Sequence, residues 1–141
     1  MPQRWLWVAD MDRCFDEAGE FLPDIEPGTQ KRGDWWSCDE RTRTGDTALL
    51  YVTRPLSQIV AFVDVKSPAR EPRPYEHAER RWPHVCDYRV SELLDGPTYR
   101  TIGADAELDA WRKECRNFQG SAFEVPPPIW GKLVYLARSG P

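Results

Sequence analysis

Short apolar runs, separated by polar turns, predict the strands of this chain. Residues 4–9 form a compact apolar run, which predicts a first strand buried on both faces or nearly so. Residues 47–53 and 58–65 are two further runs, and Arg54-Pro55 between them indicates the turn of a β-hairpin. Residues 84–91 predict another strand, after a proline-rich stretch that suits neither a helix nor a central strand.

Three other segments have the three- to four-residue spacing of apolar positions that is typical of helices. They span residues 11–21, 104–115 and 127–137. Prolines at the start of the last segment suit the first turn of a helix, where their missing N–H costs nothing. The elements together predict a single α+β domain over residues 1–141, with a small, strongly bent, mostly antiparallel sheet or barrel and flanking short helices.

Composition places the chain among globular proteins. Of its 141 residues 40% are hydrophobic and 12% aromatic, which excludes a disordered chain. No run approaches 18 apolar residues, and the first residues lack the apolar stretch of a signal peptide. We therefore expect a cytoplasmic protein with no membrane partner.

Charge is distributed unevenly along the chain. The formal net charge is −4, which argues against broad, salt-driven binding of nucleic acid. Residues 41–90 nevertheless carry 9 basic and 6 acidic side chains, whereas residues 1–40 carry 4 and 10. Most of the cations are arginines, whose guanidinium groups suit phosphates and aromatic rings better than lysine does. A local basic face on an acidic body is the resulting expectation.

Catalytic and metal-binding patterns are weak. The sequence has no P-loop, no GxGxxG and no GxSxG motif. His84, Cys86 and Asp87 are close in sequence, but successive residues of a strand point to opposite faces, so the three do not converge. No CxxC pair is present, and we predict no metal and no cofactor. The cysteines, interpreted as reduced thiols that mostly fill the core, are Cys14, Cys38, Cys86 and Cys115.

Tryptophan is in large excess, with seven in the chain. Four of them occupy strand or helix positions and are predicted to be core: Trp5, Trp7, Trp111 and Trp130. Trp35, Trp36 and Trp82 have polar neighbours in predicted loops and are poor core candidates. Two such loops, if they converge, would form an aromatic pocket flanked by arginines, which is what a splayed-out nucleobase needs.

Several short motifs, taken in order, resemble those of one superfamily. Residues 4–10 resemble the opening strand of EVE domains, and Gly45-Asp46 resembles the turn common to PUA-like folds. Trp36-Ser37-Cys38 and residues 82–90 are similar to the YTH segments that carry two cage tryptophans. Residues 116–126 resemble the late loop that lines the nucleic-acid side in relatives. The chain thus resembles an EVE domain, a PUA-like domain related to YTH domains.

This resemblance implies a non-catalytic reader of a modified nucleobase. Trp36 and Trp82 would sandwich a flipped base, and Trp35 or His77 would supply a third wall. Asp10, Asp12, Ser37 and Cys38 would lie near the base and its edge. The implied contacts to the nucleic-acid backbone are Arg41, Arg43, Arg80, Arg81, Arg116, Asn117, Gln119 and Ser121.

The implied ligand is 5-methylcytosine or 5-hydroxymethylcytosine in DNA, with DNA favoured over RNA. One alternative ligand is N6-methyladenine in RNA. An alternative role is that the protein is the specificity subunit of a modification-dependent nuclease that is encoded separately. Two other classes stay open from the residues themselves. One is a small nuclease or deaminase-like enzyme, although the zinc-deaminase signature is absent. The other is a protein-interaction module that uses the aromatic loops as a hot spot.

Overall fold

A computed structural model of the chain describes residues 2–9, 35–72 and 84–139. The helix predicted over residues 11–21 lies outside these ranges. The strands of the described residues are β1 (Arg4–Ala9), β2 (Trp35–Ser37), β3 (Thr47–Val52), β4 (Gln58–Val65), β5 (Val85–Leu93) and β6 (Ala122–Glu124). The helices are α1 (Tyr99–Ala104), α2 (Ala106–Glu114) and α3 (Pro127–Ser139), with a 3-10 turn at Arg116–Phe118.

The strands form one mixed sheet in the order β2-β5-β4-β3-β1-β6. The predicted hairpin is confirmed, because β3 and β4 pair antiparallel. β1 runs parallel to β3, with Arg4 opposite Thr47 and Ala9 opposite Val52. The other neighbours in the order pair antiparallel. The predicted α+β domain with a mostly antiparallel sheet is thus confirmed.

The sheet curls strongly into a half-barrel. In a flat sheet β1 and β5 would lie about 14 Å apart, since they are separated by three strand spacings. Trp7 on β1 nevertheless contacts Tyr88 on β5, with ring centroids 6.1 Å apart and the planes nearly perpendicular. Aromatic side chains from distant strands therefore meet inside the curl, and the concave face becomes a core of its own.

Two cores lie on the two faces of the sheet. The alternation along β1 sends Trp5 and Trp7 into the concave core and Leu6 into the other core, so this strand is buried on both faces as predicted. The second core lies under the helices, which contribute Ile102 and Leu133, among others. Three of the tryptophans predicted to be core are almost fully buried and the fourth, on α3, is half-buried: Trp5, Trp7, Trp111 and Trp130.

Asp105 separates α2, which agrees with the helix predicted over 104–115, from α1, which the sequence did not predict. Its side chain accepts hydrogen bonds from Glu107 N and Leu108 N, both at 3.0 Å, and so caps α2. Its own N–H bonds to Ile102 O at 3.3 Å and closes α1. The last helix agrees with its prediction, since α3 begins at Pro127. None of the helices in the described ranges has the length and apolar character needed to cross a membrane.

Candidate nucleic-acid interface

Trp36 lies on a short strand at the edge of the sheet, which corrects its predicted position in a loop. β2 pairs antiparallel with β5, and Trp36 is opposite Cys86. Three residues are too few to show an alternating pattern, and the partner strand is far along the chain. The sequence therefore could not reveal this pairing. As a result, the indole is held by a sheet rather than by a flexible loop.

An aromatic cluster of Trp7, Trp36 and Tyr88 lies at this edge. The rings of Trp36 and Trp7 are nearly parallel, with an interplanar angle of 11° and centroids 6.4 Å apart. Tyr88 meets Trp36 edge to face at 6.0 Å. Trp7 is 1% and Tyr88 is 5% exposed, whereas Trp36 is half-buried. Trp36 is thus the member of the aromatic cluster that a flat ligand can reach.

The two tryptophans of β1 differ in their indole N–H groups. Trp5 Nε1 donates to Asp46 Oδ2 at 2.9 Å. Trp7 Nε1 is buried and has no hydrogen-bond partner among the described residues. A buried donor without an acceptor costs about 1–3 kcal/mol, so most such groups are paired in folded proteins. Trp7 Nε1 is therefore a buried donor of the aromatic cluster that has no acceptor among the described residues.

Ser37 and Cys38 follow Trp36 in the chain, and both are buried, with exposures of 5% and 2%. Cys38 N donates to His84 O at 3.0 Å, which extends the pairing of β2 with β5. A hydrogen bond from the Cys86 thiol lowers the pKa of Cys38, although burial acts in the opposite direction. The same bond, together with burial, raises the pKa of Cys86. The predicted contact of Ser37 and Cys38 with a base stays a prediction.

The cysteines are core residues where the structure describes them. Cys38, Cys86 and Cys115 are free thiols and buried, which confirms their interpretation, while Cys14 lies outside the described ranges. Asp87, beside Cys86 in the chain, is engaged by a guanidinium, since its Oδ1 accepts from Arg70 Nη2 at 2.8 Å. Within the described ranges no three His, Cys, Asp or Glu side chains are grouped to hold a metal ion.

The turn at Gly45-Asp46 ties the loop after β2 to the start of β1. Gly45 has φ +93°, a conformation that favours glycine. Asp46 is 2% exposed and accepts three hydrogen bonds, from Gln3 N and Trp5 Nε1 at 2.9 Å and from Arg43 N at 3.0 Å. Gly45-Asp46 predicts the turn, but the local sequence carries no signal for the role of Asp46 as a buried acceptor.

Arg41 and Arg43 are exposed and lie in the loop that this turn anchors. The Arg41 guanidinium lies over the Trp5 ring, 5.4 Å from its centroid. It pairs with Asp39 at 3.0 Å and with Glu124 at 3.1 Å, and the bond to Asp39 raises the pKa of Arg41. The two predicted phosphate-binding arginines are thus close in the structure, and Arg41 is engaged by carboxylates.

The predicted backbone contacts at residues 116–121 belong to a segment that is anchored to the helix-covered core and to the end of β1. Arg116 and Asn117 have left-handed backbone conformations, with φ of 53° and 56°. The adjacent Phe118 anchors them to the helix-covered core, packing on Tyr51 at 5.0 Å. Gln119 is exposed, and Ser121 O accepts from Val8 N near the end of β1. The contact of this segment with a nucleic-acid backbone stays a prediction.

Several predicted site residues fall outside the described part of the chain. They are Asp10, Asp12, His77, Arg80, Arg81 and Trp82, together with the side chain of Trp35. Their contacts with a base or with phosphate stay predictions.

A groove of about 330 Å³ lies on the other face, between α3 and the sheet. Arg4 lies over the Trp130 ring at 5.6 Å and Arg138 over the Phe62 ring at 5.0 Å. Arg138 also faces Glu92 at 3.7 Å. No sequence motif indicates this groove. The groove is lined by both basic and acidic side chains, and its two rings, Phe62 and Trp130, are each covered by an arginine. The aromatic cluster is therefore the better candidate for binding a base.

Comparison with known proteins supports the fold. The sequence matches no protein-family model and no curated protein. A protein from Agrobacterium tumefaciens is 12% identical with a TM-score of 0.69, covering 96% of this chain and 92% of that chain. A protein from Pseudomonas putida is 16% identical with a TM-score of 0.69, covering 95% and 99%.

A YTH domain is also among the similar structures. The YTH domain of a Zygosaccharomyces rouxii protein, solved in complex with N6-methyladenosine RNA, is 12% identical with a TM-score of 0.50 and covers 100% of this chain and 92% of that chain. The chain therefore has a fold that also occurs in a YTH domain, as its motifs predicted. Membership of the EVE family stays a prediction.

Proposed function

We propose that this protein is a non-catalytic reader that binds a modified nucleobase of a nucleic acid against Trp36. The observation that carries the proposal is the half-buried indole of Trp36 at a sheet edge, backed by Trp7 and Tyr88. The occurrence of the same fold in a YTH domain in complex with methylated RNA supports it. In this proposal Trp82 forms the opposite wall of the pocket.

The rigid backing of Trp36 favours stacking. A base stacked on an aromatic side chain contributes about 1–3 kcal/mol of binding free energy. A side chain that is already ordered loses little rotamer freedom on binding, so more of that energy is realised as affinity. The edge-to-face contact with Tyr88 and the parallel contact with Trp7 provide this order.

Stacking and methyl burial do not by themselves give selectivity. One buried methyl group contributes about 0.8 kcal/mol, which is only about fourfold in affinity. Hydrogen bonds to the edge of the base supply the rest, at about 1–3 kcal/mol where a buried partner would otherwise be unpaired. Asp10, Asp12 and Ser37 are the side chains that we propose for this role.

We propose 5-methylcytosine or 5-hydroxymethylcytosine in DNA as the ligand, with a separately encoded nuclease as the partner that acts on the marked site. The second candidate ligand is N6-methyladenine in RNA, which the YTH neighbour favours. Arg41 and Arg43 would position the phosphates in either case. Such contacts carry no information about the base.

The test is a panel of oligonucleotides measured by fluorescence anisotropy. It contains single- and double-stranded DNA with cytosine, 5-methylcytosine or 5-hydroxymethylcytosine, and RNA with adenosine or N6-methyladenosine. We expect the wild-type protein to prefer one modified member over its unmodified counterpart. Trp36→Ala should weaken that binding by about 5- to 150-fold, corresponding to 1–3 kcal/mol of lost stacking.

Trp130→Ala is the matched control, because Trp130 is also half-buried but packs on Phe62 at the other face. It should leave binding unchanged. Trp36→Ala should also destabilise the fold by less than the 3–5 kcal/mol that truncation of a core tryptophan costs. Equal affinity of the wild type for modified and unmodified oligonucleotides, or normal binding by a folded Trp36→Ala variant, would reject the proposal.

A further inference from the structure

We propose that the indole N–H of Trp7 is the hydrogen-bond donor that this pocket offers to the acceptor edge of the bound base. The inference rests on the proposed function and adds a recognition residue to it. Trp7 was predicted to be core only, and its burial agrees with that prediction. Its role in recognition follows from the state of its N–H group.

The comparison of Trp5 with Trp7 isolates this feature. Both lie on β1, both belong to the concave core, and both are at most 1% exposed. Trp5 Nε1 is bound to the Asp46 carboxylate, whereas Trp7 Nε1 has no partner among the described residues. The same strand and the same core thus contain one paired and one unpaired indole, and only the unpaired one belongs to the aromatic cluster.

An unpaired buried donor destabilises the free protein. When a ligand supplies an acceptor, the new hydrogen bond removes this penalty and so favours binding. Phenylalanine would keep an aromatic ring here without the unpaired donor, so the volume lost with the smaller ring is set against the cost of leaving that donor unpaired. A ring nitrogen or carbonyl oxygen of a nucleobase is a suitable acceptor. An apolar ring of the same size is not, so this N–H would favour heteroaromatic ligands over hydrocarbons.

Access to Trp7 runs through Trp36. Trp36 is the accessible member of the aromatic cluster and lies nearly parallel to Trp7, with centroids 6.4 Å apart. In this proposal a small displacement of the Trp36 ring along Trp7 opens the N–H edge of Trp7 while the two rings stay parallel and Tyr88 still orients Trp36. A base stacked on Trp36 turns its acceptor edge toward this N–H, so that stacking and edge recognition act on one ligand.

Trp7→Phe and Trp5→Phe form the decisive pair of variants. Trp7→Phe removes the unpaired N–H and keeps an aromatic ring, so it should fold with only a small change in stability, because relief of the unpaired donor offsets part of the volume that the smaller ring loses. It should weaken binding of the preferred modified oligonucleotide by about 5- to 30-fold, the range expected for one buried hydrogen bond. Trp5→Phe should do the reverse, lowering stability through the loss of a donor to Asp46 while the folded protein binds within about twofold of wild type.

A second measurement keeps the test independent of stability. In 15N-labelled wild-type protein the Trp7 indole N–H resonance is identified by its absence from Trp7→Phe. Titration with the 5-methylcytosine DNA oligonucleotide and, in parallel, with the N6-methyladenosine RNA oligonucleotide should shift this resonance downfield and slow its exchange with water in the arm that binds.

The outcomes separate this inference from the proposed function. If Trp36→Ala loses binding but Trp7→Phe binds as wild type, or the Trp7 resonance does not move on binding, the inference fails and the reader function stands. If wild type prefers no modified oligonucleotide, the function and the inference both fall. If Trp7→Phe does not fold, the Trp7 indole resonance is assigned in the wild type from its nuclear Overhauser contacts with Tyr88, and the wild-type titration then decides.

Discussion

Asp46 is expected to be the most sensitive polar residue of the described structure. Its carboxylate is buried and accepts from two backbone N–H groups, Gln3 N and Arg43 N, and from Trp5 Nε1. It therefore joins the start of β1 to the loop that carries Arg41. Asp46→Ala removes the acceptor and leaves these three donors without their partner.

The size of the effect follows from these contacts. A hydrogen bond to a charged group contributes about 1.5–3 kcal/mol, but three bonds to one carboxylate do not add. A buried donor left without an acceptor costs about 1–3 kcal/mol, and because two of the three donors are only partly buried we expect a total loss of about 2–4 kcal/mol for Asp46→Ala. Natural domains are stable by about 5–15 kcal/mol, so this loss is a large fraction of the total stability.

Urea unfolding followed by tryptophan fluorescence measures the loss. Asp95→Ala is the matched control, because Asp95 is exposed and accepts one side-chain bond, from Gln58 Nε2 at 2.7 Å. The control should lose no more than about 0.5 kcal/mol. A loss below about 1 kcal/mol for Asp46→Ala, with an unchanged denaturant slope, would refute the reasoning that this carboxylate organises the turn.

Two further predictions concern the charged surface. Arg41→Ala and Arg43→Ala should weaken binding of modified and unmodified oligonucleotides by similar factors and should each reduce the salt slope by about one; a loss confined to the modified oligonucleotide would place the arginine in the base pocket instead. Hydrogen bonds from Leu108 N and Lys132 hold the pKa of Asp105 below its ordinary value in the folded protein. Its stabilising effect is therefore complete above about pH 5 and is lost as the pH falls through the lowered pKa. The melting temperature of wild type should accordingly exceed that of Asp105→Asn at neutral pH and approach it in acid, and a constant difference would contradict this assignment.

Local patterns were sufficient for the strands that are apolar throughout and for the last helix. The hairpin of β3 and β4 is formed by two such runs with a short connection, so its pairing follows from the sequence alone. α1 escaped prediction because Tyr99–Ala104 is only six residues long and contains Gly103. Its single buried side chain, Ile102, gives no period, although Thr98 was available as a capping signal.

Long-range pairing was beyond the reach of the sequence patterns. β1 and β3 pair in parallel although residues 10–46 separate them in the chain, so no local pattern indicates the pairing. β2 has only three residues, which is too few to show alternation. The aromatic cluster depends on both, because Trp7 and Trp36 meet only when the sheet curls. Composition identified tryptophan as the unusual feature, and the resemblance selected Trp36, but only the structure shows that Trp36 rests on Trp7.

The aromatic cluster has to serve folding and recognition with the same rings, and this conflict explains its uneven burial. Tyr88 and Trp7 link β5 to β1 across the curl, so their burial stabilises the half-barrel. A ring that is buried to this extent offers no face to a ligand, and a fully exposed ring would lose the contacts that orient it. Trp36 lies between these limits, since the sheet edge leaves it half-buried while two ordered rings fix its plane. Substitutions at Trp7 and Tyr88 that remove the ring should therefore cost stability first, whereas substitutions at Trp36 should cost binding first. Trp7→Phe keeps a ring in this pair and removes the N–H, so it is expected to affect binding more than stability.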